Sequence, residues 1–338
     1  MIHSPYVRKP VSVQRTMGLV LVALVPGILA HVINIGAGVL VNLAISTITA
    51  VAAEALMLAL RRRPVLIAVT DLSAVVTAWL VTLCFPPIVP WWLTVSAVLV
   101  AIVAVKHLYG GLGQNPFNPA MVAYCSMIVA FPALMSQWPP AGHLPFDIQL
   151  SLILGGPRDI DGITGATALD ALRTGLRAGT QTVDQVLKGD AFGALGGRGW
   201  EWVPLGYIAG GLFLLATRIV TWHMPVAFLG TLTVVSGTFW LAAPGSFASP
   251  LFHLATGGAM LAAFFIVTDP VSGATTPRGK LLFAGGIALI AWLIRNFGVY
   301  PEGIAFGVLL MNICVPLLDM KTQPQVFGHR HEPREGKK

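Results

Sequence analysis

The sequence predicts an all-α polytopic membrane protein with about ten transmembrane helices. Of its 338 residues, 55% are hydrophobic and only 10% are charged, whereas soluble domains carry about 25% charged residues. The mean hydropathy is +0.77, and apolar stretches follow one another along most of the chain. Because about 20 apolar residues cross the hydrocarbon layer as a helix, these stretches are interpreted as membrane spans.

Ten apolar stretches have roughly the length that a membrane-crossing helix requires. In chain order they lie at residues 17–35, 38–60, 66–85, 91–108, 117–135, 204–220, 224–243, 250–268, 281–297 and 303–319. A long polar segment separates the first five from the last five. The chain is therefore divided into an N-terminal membrane half (1–135), a long loop (136–203), a C-terminal membrane half (204–320) and a basic tail (321–338).

Basic residues predict the orientation of these spans, because cytoplasmic loops are enriched in Lys and Arg. With the N-terminus inside, six of the 21 basic residues fall outside, and these are Arg158, Arg173, Arg177, Lys188, Arg198 and Arg295. All but Arg295 lie in the long loop, and long loops count little in this rule. Both termini are thus predicted to be cytoplasmic and the long loop extracytoplasmic. The net charge of +7 is assigned to cytoplasmic loops facing membrane lipid, and no nucleic-acid partner is expected.

An odd number of spans in each half gives the halves opposite directions, so a five-plus-five inverted repeat is predicted. CFPPIVPWW (84–92) follows the third span, and TDPVSGATTP (268–277) follows the third span of the second half. GQNPFNPAM (113–121) and GVYPEGIAF (298–306) precede the last span of each half. Paired Pro and Gly interruptions at matching positions predict a binding site near the interface between the halves.

Two polar segments share the pattern Asp, two residues, then Ser or Thr followed by Gly-Ala-Thr. DGITGAT (161–167) lies in the long loop, and DPVSGAT (269–275) follows the eighth span, on the predicted cytoplasmic side. A threonine hydroxyl needs activation to form a covalent bond, and small neighbours leave the backbone open to a bulky phosphate-bearing group. The alternative interpretation is that Thr164 caps a short helix over ALDALR. The two interpretations are compatible.

Several motifs together resemble those of one family of membrane redox subunits. They are DGITGAT (161–167), GGLGQNPFNPAM (110–121), TDPVSGATTPRGK (268–280), YPEGIAFGVLLMN (300–312) and SPYVRK (4–9). Over nearly its whole length the chain resembles the family that contains the D subunit of the Rnf electron-transport complex and the B subunit of the sodium-pumping NADH:quinone reductase. Its compact length and short N-terminal tail are more similar to the Rnf D subunit.

The resemblance implies a covalently bound flavin. In this family FMN is joined through its phosphate to the last threonine of the motif, here Thr167, and Asp161, Thr164, Gly165 and Ala166 complete the attachment pattern. A separate flavin transferase makes this bond from FAD outside the cytoplasmic membrane. The resemblance also implies a second, non-covalent flavin, riboflavin, at a position that the sequence does not show. Thr275 is interpreted as a coincidental copy, because relatives usually depart from Gly-Ala-Thr there.

The implied partners are the other subunits of an Rnf-type complex in the bacterial inner membrane. They include a second flavin subunit and iron–sulfur subunits, and electron transfer would be coupled to movement of Na⁺ or H⁺. The three cysteines of this chain are far apart and form no cluster-binding motif. Two alternatives stay open: the B subunit of the quinone reductase, and an inverted-repeat channel or transporter without a redox cofactor.

Polar residues within spans are costly and often functional. They are His31, Asn34, Asn42, Glu54, Asp71, Lys106 and Asn312. Asp71, just inside the third span, is the candidate for an ion or proton pathway, and a helix cap at the interface is the alternative. Glu54 and Lys106 are expected near the cytoplasmic interface, where Lys extends towards water. No catalytic residue and no metal site is predicted.

The glycine-rich segment before the fifth span is interpreted as a broken helix, although such runs also bind phosphates. It lacks the Lys-Ser/Thr ending of a phosphate-binding loop. Asn115 and Asn118 are expected to bond the backbone groups that the break leaves free, and the break is expected to line a cofactor pocket.

Overall fold

A computed structural model of the protein describes residues 12–140, 142, 144–157, 162–179 and 181–323. Within these ranges the chain forms helices, two isolated β-bridges and no strand. Five helices are long and apolar enough to cross a membrane, and four apolar helical segments are shorter. The all-α polytopic prediction is thus confirmed. SPYVRK, Asp161 and the tail beyond residue 323 lie outside the described residues.

Each of the ten predicted stretches contains helix. The first half comprises α1 (Val13–Asn34), α2 (Gly38–Leu60), α3 (Val65–Val69), α4 (Ser73–Leu83), α5 (Trp91–Leu99, continued as a π-helix over Val100–His107), α6 (Pro119–Ala130) and α7 (Pro132–Met135). The loop contains α8 (Phe146–Leu154), α9 (Ala168–Arg177) and α10 (Val183–Val186). The second half comprises α11 (Trp202–Ala216), α12 (His223–Ala242), α13 (Pro250–Ala255), α14 (Ala259–Leu261, continued as a π-helix over Ala262–Ile266), α15 (Pro277–Phe297) and α16 (Ile304–Thr322).

The third predicted span of each half is interrupted near its beginning. The first break, residues 70–72, separates α3 from α4, and the second break, residues 256–258, separates α13 from α14. Left-handed backbone directly precedes the next helical segment at both places: φ is 64° at Leu72, 64° at Gly257 and 70° at Gly258. This conformation costs roughly 1–2 kcal/mol at Leu72 and little at a glycine. These two breaks are a further pair of interruptions, distinct from the Pro- and Gly-containing segments that the sequence paired, and the apolar pattern had merged them into spans.

Corresponding helices of the two halves pack against each other. The first helices, α1 and α11, form one pair, and the helices of the fifth predicted spans, α6 and α16, form another. Gly206 and Gly210 allow the first pair to approach closely, since a Cβ at Gly210 would lie 1.8 Å from the carbonyl oxygen of Ala23 and one at Gly206 would lie 2.6 Å from that of Pro26. This spacing is the small-residue motif of membrane helix pairs. Such pairing is what an inverted repeat would produce.

The long loop is folded onto the membrane helices. Its own small apolar cluster joins Leu169 and Leu172 of α9 to Val183, Val186 and Phe252, the last from α13. Helix α8 is held against the beginning of α2, where the N–H of Gly38 donates to Oε1 of Gln149 over 2.7 Å. The loop can therefore position a functional side chain relative to the membrane half.

Candidate functional site

Thr167 is the N-cap of α9. Its backbone is extended, with φ −64° and ψ 159°, and its Oγ1 accepts a hydrogen bond from the N–H of Asp170 over 3.2 Å. The expected cap was Thr164, and the structure corrects this by three residues because helix begins only at Ala168. A helix N-terminus carries unpaired N–H groups and the positive end of the helix dipole, both of which favour an anion. A phosphate ester on the Thr167 oxygen would occupy such a position.

Two tryptophans of the loop connect the GITGAT segment (162–167) to helix α1. The N–H of Gly165 donates to the carbonyl oxygen of Trp138 over 2.9 Å. The Trp138 ring packs edge-on against Trp200 at 5.3 Å, and Trp200 packs edge-on against His31 of α1 at 5.1 Å. The motif is thus held in place through two tryptophans that the spacing of the motif did not indicate.

Local packing does not explain the glycines of this motif. A Cβ built at Gly162 would have nothing within 4 Å, and the nearest atom at Gly165 would be Cβ of Pro140 at 3.7 Å. Neither glycine has positive φ. Ala166 is exposed and Thr167 half-buried, so the surroundings are open to a bulky group. Asp161 lies outside the described residues, and its place beside Thr167 stays a prediction.

The second copy of the pattern is a structural turn. The hydroxyl and the N–H of Thr275 both donate to the Asp319 carboxylate, over 2.8 and 2.9 Å. The Asp269 carboxylate accepts from Ser272 Oγ over 2.6 Å. Gly273 is required by packing, since a Cβ there would lie 2.8 Å from the carbonyl oxygen of Asp269. The two copies of the pattern share residue types, but the contacts described for them are different.

Asparagines connect this turn to the glycine-rich segment. Asn118 caps α6, because its Oδ1 accepts from the N–H groups of Ala120 and Met121 over 3.0 and 3.2 Å. Its own N–H donates to Asn312 Oδ1 over 3.1 Å, and Asn312 Nδ2 donates to the carbonyl oxygen of Ser272 over 2.9 Å. Asn115 Nδ2 bonds the carbonyl oxygen of Phe117. The expected bonding of freed backbone groups is confirmed, and it also joins α6, α16 and the second copy.

Asp71 lies in the first break and caps α4. Its Oδ1 accepts from the N–H of Ser73 over 2.7 Å and from the Ser73 hydroxyl over 2.5 Å. The capping interpretation is confirmed, and an ion-pathway role stays a prediction. Asp71 also lines a cavity of about 560 Å³ together with Glu54, Arg61 and His107.

Glu54 and Lys106 are buried within the protein and paired, which corrects the expectation that Lys106 extends towards water. Lys106 Nζ donates to both Glu54 oxygens over 2.9 and 3.0 Å, and to Ser73 Oγ over 2.8 Å. The side chains of Lys106 and Glu54 are 3% and 4% exposed. His107 Nε2 lies 3.1 Å from Glu54 Oε2, although neither ring nitrogen has the alignment of a hydrogen bond. The pair joins α2 to the π-helical end of α5 beside the first break.

A second cavity, of about 400 Å³, lies beside α9. Its walls include Leu169 and Arg173 of α9, Phe247 and His253 near α13, and Arg295 and Phe297 of α15. We call this space the α9 cavity. It begins two residues beyond Thr167, and sequence reasoning did not foresee it because its walls come from three distant segments.

Comparison with known proteins agrees with these motifs. The profile of the NQR2, RnfD, RnfE family matches residues 1–328. A protein of Yersinia pseudotuberculosis, named as the D subunit of an ion-translocating oxidoreductase complex, is 46% identical, with 97% of each chain covered. Proteins of the same name from Vibrio vulnificus and Escherichia fergusonii are 46% identical (96% of this chain, 98% of the relative) and 44% identical (97% of each). The chain belongs to the NQR2, RnfD, RnfE family.

Proposed function

We propose that the chain is the membrane flavoprotein subunit of an ion-translocating oxidoreductase complex of the Rnf type, and that FMN is attached to Thr167. Relatives named as the D subunit of an ion-translocating oxidoreductase complex align with this chain over nearly the whole length of both proteins. The observation that carries the attachment site is the contrast between the two threonines. The Thr167 oxygen accepts a hydrogen bond at a helix N-terminus, whereas the Thr275 hydroxyl donates to the Asp319 carboxylate.

The residues around Thr167 fit a flavin phosphate. Attachment from FAD replaces AMP by the threonine oxygen, so the phosphate becomes a diester that keeps one negative charge. The first turn of α9 favours that charge, and the bond from Gly165 to Trp138 fixes the approach to the helix. The flavin would supply the redox chemistry, and the protein would supply position and electrostatics.

The proposal places the loop and Thr167 outside the bacterial inner membrane, within reach of the flavin transferase. Both termini are inside, as the distribution of basic residues predicts. A non-covalent riboflavin belongs to the membrane part. A second flavin subunit and iron–sulfur subunits are the electron-transfer partners.

Ion coupling is assigned to the region of the first break. Asp71 and Glu54 line the same 560 Å³ cavity, and carboxylates at membrane depth are typical of Na⁺ and H⁺ pathways. Asp71 is the proposed ion-handling group, and its helix-capping bond to Ser73 holds the carboxylate at the cavity.

The attachment is tested by replacing the two threonines separately. A covalent flavin survives SDS denaturation and fluoresces in the gel. We expect Thr167→Val to give a dark band and the bare polypeptide mass, because the ester oxygen is lost. Thr275→Val is the matched control and should stay fluorescent.

Loss of fluorescence in the Thr275 variant alone would overturn the choice of site. A dark band from the natural protein, produced with its transferase, would favour a non-redox channel or transporter. If NADH oxidation by the assembled complex is linked to quinone and not to ferredoxin, the chain acts as the B subunit of the quinone reductase.

A further inference from the structure

The α9 cavity contains polar groups that the protein itself leaves without partners. His253 is 2% exposed, and among the described residues neither of its ring nitrogens has a hydrogen-bond partner. Nε and Nη1 of Arg173 are likewise buried and unpartnered, while Nη2 donates to Asp170 over 3.1 Å. A buried donor without a partner costs about 1–3 kcal/mol, and native proteins leave few of them. These nitrogens therefore indicate a ligand with acceptor atoms.

The remaining walls define the shape and polarity of that ligand. Leu169, Phe247 and Phe297 contribute apolar surface. Arg295 also lines the cavity, but its guanidinium is already bonded to Glu302 over 2.8 Å and to the carbonyl oxygen of His253 over 2.7 Å. The free donors therefore belong to Arg173 and His253. Apolar walls with a few polar donors are suited to an aromatic ring system that carries acceptor atoms.

The position of the cavity relative to Thr167 completes the argument. Helices rise about 1.5 Å per residue, so Arg173 lies about 9 Å along α9 from Thr167. Side chains on a helix lean towards its N-terminus, which directs Arg173 back towards the attachment point. A group tethered at Thr167 can thus reach the cavity.

We propose that the α9 cavity binds the isoalloxazine ring of the flavin attached to Thr167, and that Arg173 and His253 donate to its acceptor edge. This inference rests on the proposed function. Reduction places negative charge on that edge of the ring, so a neighbouring guanidinium favours the reduced flavin. Arg173 and His253 are accordingly assigned as residues that position the ring and raise its midpoint potential.

The test uses the complete complex with Arg173→Gln and His253→Phe. Arg198→Gln is the matched control, since Arg198 is an exposed arginine of the same loop that does not line the cavity. Three quantities are measured: covalent flavin by in-gel fluorescence, midpoint potential by spectroelectrochemistry, and quenching of flavin fluorescence by iodide. We expect all three variants to keep the covalent flavin. Arg173→Gln and His253→Phe should lower the midpoint potential and raise the iodide quenching constant several-fold, whereas Arg198→Gln should change neither.

If both cavity variants have the midpoint potential and the iodide quenching constant of the natural protein, the inference is overturned, while the attachment to Thr167 remains intact. Equal shifts in the Arg198 control would also overturn it, because the effect would then be one of general charge. Absence of covalent flavin from the natural protein would instead contradict the proposed function. If His253→Phe does not fold, Arg173→Gln decides alone, since the Arg173 side chain is 18% exposed and tolerates a shorter polar replacement.

Discussion

The two helix breaks lie at corresponding places in the two halves, yet different cations stabilise them. At the second break Arg295 donates directly to backbone carbonyl oxygens, those of His253 at 2.7 Å and Thr256 at 3.3 Å. At the first break Lys106 donates to side chains, Glu54 and Ser73. Arginine has five donors in a fixed fork, and lysine is a compact charge with three.

This difference separates a break whose backbone carbonyl groups are bonded directly by a cation from one that is held through buried side chains. Arg295 occupies the carbonyl groups that the interruption exposes, with Glu302 as counter-ion. Around the first break the carboxylates of Glu54 and Asp71 face a cavity of about 560 Å³. The comparison teaches that corresponding breaks can each border a cavity and present different groups to it, carboxylates at the first break and basic side chains at the second.

Removing Arg295 should have the largest effect on stability. Arg295→Met leaves the carbonyl oxygens of the second break unsatisfied and Glu302 without its partner. Breaking a buried pair in this way costs about 3–5 kcal/mol. We expect a large drop in the thermal denaturation temperature in detergent. Arg295→Lys is the control, and it should restore only part of the loss because lysine cannot reproduce the fork. Full stability of Arg295→Met would show that the second break does not depend on this residue.

Removing Lys106 should lower the stability less than removing Arg295, because the acceptors of Lys106 are side chains beside a cavity that can hold water. Lys106→Met leaves the Glu54 carboxylate buried without its charged partner. The expected loss of unfolding free energy is about 3 kcal/mol, the lower end of the range for a broken buried pair. The double variant Glu54→Gln, Lys106→Met should recover most of this loss, since both charges are then absent. Thermal denaturation of the single and double variants measures the difference. An equally unstable double variant would mean that packing, and not charge, explains the effect of Lys106.

Hydropathy and short-range chemistry predicted much of this architecture. Apolar length placed helix in every predicted span, and Asn118 was predicted to bond freed backbone groups, which it does as the cap of α6. Helix α8 was not predicted as part of the fold, because nine residues are too few to span a membrane. Its contact with α2 includes the hydrogen bond from the N–H of Gly38 to Gln149, which is 111 residues away in the sequence.

The rest depends on contacts that sequence spacing does not encode. Lys106 and Glu54 are 52 residues apart, and each alone resembles an interfacial charge. Gly165 bonds to Trp138, 27 residues earlier in the chain, and the spacing of the motif does not indicate this contact. His253 and Arg173 meet at one cavity only because the loop folds onto the second half.

The smallest effect on stability, and the sharpest test of the first break, is expected from Asp71. Asp71→Asn keeps an oxygen that can accept the N–H of Ser73, so the cap survives and the stability loss should stay below about 1 kcal/mol. Asp71→Ala removes the cap and should cost about 1 kcal/mol.

If the carboxylate handles ions, both variants should reduce ion uptake by the complex in proteoliposomes equally, although they differ in stability. If Asp71 acts only as a cap, ion uptake should be natural in the Asn variant and reduced, if at all, only in the less stable Ala variant. Because capping requires an oxygen and ion handling requires a charge, the pair of substitutions separates the two roles at one position.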